Sequence, residues 1–82
     1  RLRLFPNPSF DHTSLTYELA SSQPVRMQLL DASGRCVWRR PSMHIAAGVH
    51  QQVIPTASLP AGLYVVRLQA GAQASSVKLI KQ

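Results

Sequence analysis

Apolar and polar residues alternate along much of this chain with a period of two. Leu15, Tyr17 and Leu19 are separated by Thr16 and Glu18, and Val25, Met27 and Leu29 by Arg26 and Gln28. Successive side chains of a strand point to opposite faces, so this alternation marks strands with one buried face. Val49 and Val53 bracket Gln51 on one face of a further strand, with His50, Gln52 and Ile54 on the other. Leu63-Tyr64-Val65-Val66-Arg67-Leu68 is almost unbroken apolar and reads as a central strand covered on both sides. Val77, Leu79 and Ile80 fall in a final short strand. No stretch carries helical spacing over three turns.

The turn residues agree. Pro6-Asn7-Pro8 ends an opening strand, Leu2 to Phe5, because proline neither donates to a ladder nor continues one. Asp31-Ala32-Ser33-Gly34 joins Val25–Leu30 to Arg35–Arg40 as a hairpin. There Asp bonds back to the backbone and Gly supplies positive φ. Gly48 precedes a strand, Leu59-Pro60-Ala61-Gly62 makes a corner, and Ala70-Gly71-Ala72 turns into the last strand. Short strands with turns at close spacing predict an all-β protein: an Ig-like antiparallel β-sandwich of about seven strands in two sheets. The expected core is Leu15, Tyr17, Leu19, Val25, Met27, Leu29, Val37, Val53, Leu63, Val65, Val66, Leu68, Val77 and Leu79.

The 82 residues allow one small domain, 1–82, with no cleft between lobes. No apolar run approaches the roughly 20 residues of a membrane span. The formal charge of +6, nine Lys and Arg against three Asp and Glu, suits anionic partners, yet the cations are scattered and only Arg39-Arg40 are adjacent. Cys36 is the single cysteine, so an intrachain disulfide is excluded. The first residue is Arg1 and nothing resembles a signal peptide, so the chain is expected to be a fragment of a longer secreted precursor.

Candidate chemistry is sparse. Asp11, Glu18 and Asp31 show no pairing of carboxylates, and Asp31 is committed to a turn. His12, His44 and His50 lack metal-ligand spacing, and His12 and His44 are expected in loops. Cys36 reads as a half-buried structural cysteine. Trp38 beside Arg39 and Arg40 could stack on a base or sugar, although a tryptophan half-covering a sheet face explains it as well. Each of the four glycines falls at a turn, and no phosphate-binding loop is present. No enzyme activity, metal or cofactor is expected.

Four segments, in order, resemble the type A C-terminal sorting domain of the type IX (Por) secretion system of Bacteroidetes. They are Leu4-Phe5-Pro6-Asn7-Pro8; Leu29-Leu30-Asp31 followed by Gly34-Arg35-Cys36-Val37; Leu59-Pro60-Ala61-Gly62-Leu63-Tyr64-Val65-Val66-Arg67-Leu68; and Lys78-Leu79-Ile80-Lys81-Gln82 at the end of the chain. The resemblance runs from Leu4 to Gln82. Its basic, His-containing middle, Arg39 to His50, is the one departure.

The resemblance implies an address rather than a catalyst. The tail of a cargo protein is recognised in the periplasm by outer-membrane machinery comprising a translocon, a shuttle protein and a sortase-like peptidase. The cargo then crosses to the cell surface or the extracellular space, and in many members the tail is removed and the cargo attached to anionic lipopolysaccharide. On this reading Lys78, Leu79, Ile80, Lys81 and Gln82 are the residues a receptor reads, with charge flanking the apolar pair. Pro6, Asn7, Pro8, Asp31, Gly34, Leu59, Gly62 and Tyr64 are structural. Two alternatives stand beside it: an Ig-like adhesive or carbohydrate-binding module with Trp38, Tyr17 and Tyr64 as platforms, and a nucleic-acid-binding β domain resting on charge alone. Open sheet edges leave edge-paired or swapped dimers as an option.

Overall fold

The computed structural model describes residues 2–82, and the basic Arg1 lies outside them. Seven strands follow one another with no helix among the described residues: β1 (Leu2–Phe5), β2 (His12–Leu19), β3 (Gln23–Leu30), β4 (Cys36–Ile45), β5 (Gly48–Pro55), β6 (Gly62–Ala70) and β7 (Gln73–Lys81). They form two antiparallel sheets, one ordered β1-β2-β5 and the other β4-β3-β6-β7. Hairpins join β3 to β4 and β6 to β7 within one sheet, while the β2–β3, β4–β5 and β5–β6 connections cross between sheets. This is the immunoglobulin-like sandwich that the alternation predicts.

The core lies where the inward faces meet. Leu15, Tyr17 and Leu19 of β2 and Ile54 of β5 face Val25, Met27 and Leu29 of β3, Tyr64, Val66 and Leu68 of β6 and Leu79 of β7. Leu2, Leu4, Val37, Trp38, Ile45, Leu59 and Val77 close its margin, half-buried. Pro41 and Ser42 fall where β4 shifts register against β3. A bulge and a proline are tolerated there because β4 is an edge strand.

Several expectations are corrected. Val53 is 54% exposed, and Ile54, one residue on, is buried. A one-residue change of face inverts a whole strand, and the inward face of β5 is taken by His50, Gln52 and Ile54. Two of those inward groups are polar, yet both have partners: the His50 ring stacks on Tyr17 with centroids 5.6 Å apart, and the Gln52 carbonyl accepts from Arg40 Nη1 at 2.6 Å. Strand β6 is interior to its sheet but covered on one face only. Tyr64, Val66 and Leu68 are buried, Leu63 is exposed and Val65 half-buried. Val37 and Val77 sit at the margin rather than in the core. His12 and His44 are exposed but lie on β2 and β4 rather than in loops. Cys36 is an exposed thiol donating to the Trp38 carbonyl at 3.4 Å.

Candidate functional site

One end of the sandwich gathers all four segments singled out in the sequence. It is the end where β1 leaves its sheet, where β3 turns into β4, where β6 begins and where β7 finishes.

The first segment works as a bracket. After β1, Pro6-Asn7-Pro8 carries the chain across from the three-stranded sheet to the free edge of β7. Both prolyl bonds are cis. The Asn7 amide imitates a neighbouring strand: Nδ2 donates to the Lys78 carbonyl and Oδ1 accepts from the Ile80 N–H, both at 3.0 Å. Ser9 continues the pairing, donating its N–H to the Ile80 carbonyl at 2.8 Å and accepting from the Gln82 N–H at 2.9 Å. An edge strand that would otherwise present a row of unpaired groups is thereby closed over its last residues.

Beneath this bracket lies a small polar cluster. Ser9, Thr13 and Thr56 are fully buried. Thr13 Oγ1 donates to the Pro6 carbonyl at 2.8 Å, and Thr56 Oγ1 lies 3.3 Å from both Ser9 Oγ and the Phe10 carbonyl. Each hydroxyl therefore meets the requirement that buried polar groups be paired. None of the three is marked by a motif in the sequence. Thr13 was legible by extending the β2 alternation two residues back from Leu15, and Thr56 by extending β5 two residues beyond Ile54.

The third segment is a corner held from two sides. The Tyr64 hydroxyl donates to the Pro60 carbonyl at 2.6 Å, a tyrosine corner of the kind that fixes the turn into an interior strand of Ig-like sandwiches. Lys81 Nζ donates to the Leu59 carbonyl at 3.1 Å. Lys81 is 8% exposed and so is not the surface charge that its position in the sequence suggests. Period two places Leu79 and Lys81 on the inward face of β7, leaving Lys78, Ile80 and Gln82 exposed.

The second segment forms the neighbouring turn. Asp31 Oδ1 accepts from the Ser33 N–H, the Ser33 hydroxyl and the Arg35 N–H at 3.0, 2.7 and 2.9 Å. The Ser33 hydroxyl first, then the Arg35 amide, hold its carboxyl below the usual aspartate range. Gly34 adopts φ +88° there, a conformation that side chains rarely tolerate. An open groove of about 430 Å³ runs between this turn and the corner, with Asp31 and Arg35 on one wall and Leu59 and Pro60 on the other.

The end is therefore a built surface with a committed hydrogen-bond network. Among the described residues no three His, Cys, Asp or Glu side chains cluster. Of the three aromatics a sugar-binding module would use, Tyr17 and Tyr64 are buried in the core and Trp38 is half-buried at its margin.

Fold and site together define an Ig-like β-sandwich whose four signature segments meet at one end. The family model for the secretion system C-terminal sorting domain matches residues 3–82. The chain belongs to that family, the sorting signals of type IX secretion, which is not an enzyme family. Membership makes it a signal for export across the outer membrane, to the cell surface or the extracellular space, through the type IX machinery. No curated protein matches the sequence.

Proposed function

We propose that this domain is a tail read as a folded surface, not as a linear peptide. It belongs to a longer secreted precursor and is recognised from the periplasm by a shuttle or translocon component. A sortase-like peptidase then removes it and attaches the cargo to the cell surface. The observation that carries this reading is the convergence of the four family segments at one end of the sandwich. There Asn7, Ser9 and Lys81 bind the last residues of β7 to the rest of the fold.

The burial pattern supports a division of labour within Lys78–Gln82. Leu79 and Lys81 hold the strand in place, and Lys78, Ile80 and Gln82 form the part a receptor touches. The test is a periplasmic reporter fused to this domain in a host with the secretion system, compared with a fusion ending at Val77. The full-length fusion is expected outside the cell and the truncated one inside. Export of the truncated fusion at normal levels would contradict the reading.

A further inference from the structure

The outward face of the four-stranded sheet carries one exposed cation on every strand: Arg39 on β4, Arg26 on β3, Arg67 on β6 and Lys78 on β7. The register sets Gln28 between Arg39 and Arg67 in one row, with Val65 beside Lys78 in the next. No carboxylate shares the face. Glu18 lies on the other sheet opposite Val49, Asp31 is folded into its turn and paired with Arg35 at 3.3 Å, and Asp11 precedes β2. With strands about 5 Å apart, the cations span roughly 15 Å. At the motif end of the same face Leu63 and Ile80 are cross-strand partners, 43% and 41% exposed.

We propose that this face docks on a bilayer containing anionic phospholipid. Three features favour that occupant. The cations are spread one to a strand instead of converging on a cleft, which suits a surface of many equivalent anions better than one small ligand. Three of the four are arginines, whose fork matches a phosphate; Arg26 shares Nε and Nη2 with Gln69 Oε1 at 3.1 and 2.9 Å on the exposed face, a bond a phosphate can replace. The adjoining Leu63 and Ile80 supply apolar area for the acyl boundary, the combination that drives interfacial binding. Lys78 and Ile80 belong to both this face and the surface assigned to a receptor, whereas Arg26, Arg39 and Arg67 belong to this face alone, so variants at those arginines test the bilayer reading without touching the export reading.

The experiment is cosedimentation of the full chain with phosphatidylcholine vesicles with and without phosphatidylglycerol. The double variant Arg39→Gln/Arg67→Gln is compared with Arg3→Gln/Arg35→Gln, which removes the same charge from outside the face. Binding is expected only to the phosphatidylglycerol vesicles and is expected to weaken at about 0.5 M salt. The face pair should weaken binding about 30-fold and the control pair far less. All four positions are exposed, and melting curves of both variants should match the parent. Equal losses in the two pairs, or no preference for anionic vesicles, would overturn the proposal. Capture by polyglutamate without vesicle binding would also overturn it and assign the face to an acidic protein.

Discussion

Asn7 is an exposed residue that ties the two ends of the chain together. Its amide supplies one donor and one acceptor to the free edge of β7, 71 and 73 residues away in the chain. Asn7→Ala removes both bonds and reopens the edge to water, for an expected cost of about 1–2 kcal/mol, readable in the denaturation midpoint; an unchanged midpoint would show the bracket to be ornamental. Arg40 presents the opposite case. Its Nη1 reaches Gln52, while Nε and Nη2 are buried without a partner. A buried guanidinium with unmet donors is a poor contributor to stability, and an apolar side chain of similar length often replaces one at no loss. Arg40→Met is therefore expected to leave the melting temperature unchanged or raise it. A loss of more than about 2 kcal/mol in unfolding free energy would mean that the arginine is satisfied in solution. Neither role was readable from the sequence. Asn7 needs a partner at the far end of the chain, and the inward turn of Arg40 follows from the register of β4 on β3.

Among the elements, β6 and β7 separate what alternation reveals from what it hides. Strand existence was legible, because every turn except Ala20-Ser21-Ser22 is marked by Gly, Pro or Asp and the apolar periods of β2, β3 and β6 are plain. Face assignment failed in β5, where Val49 and Val53 outrank Ile54 in number and the polar pair His50 and Gln52 marks the inward face. It failed in β6 as well, where Leu63 and Val65 resemble core residues but lie outward beside Ile80 and Lys78. Their apolar character belongs to a surface. Two substitutions test this assignment. Leu79→Ala, fully buried, should cost about 2–5 kcal/mol through lost area and a cavity. Val65→Ala, half-buried, should cost about 1 kcal/mol or less. Similar losses at the two positions would mean that β6 is covered on both faces after all.

At the scale of the whole molecule, the four motif segments are far apart in sequence and adjacent in space. The segments were recognisable one by one, and the Asp31 turn and the Leu59–Tyr64 corner could be assigned from turn chemistry. Their convergence could not, because it rests on β1 leaving its sheet and on the pairing of β6 with β3 and β7. The division of Lys78 from Lys81 was legible by extending the alternation two residues beyond Leu79, but two lysines around an apolar pair look equivalent and hid it; the pleat of β7 sends one outward and the other under the corner to Leu59. That division makes the account sharply testable. If the signal is the folded surface, its exposed members can be changed without unfolding it. The decisive measurement is the fraction of reporter outside the cell for a fusion carrying Lys78→Ala/Ile80→Ser, with the melting temperature of the isolated variant domain taken alongside. A signal carried by the folded surface predicts a domain that melts like the parent, since both positions are surface ones, and a reporter retained inside the cell. A folded variant exported at the parental level would contradict it.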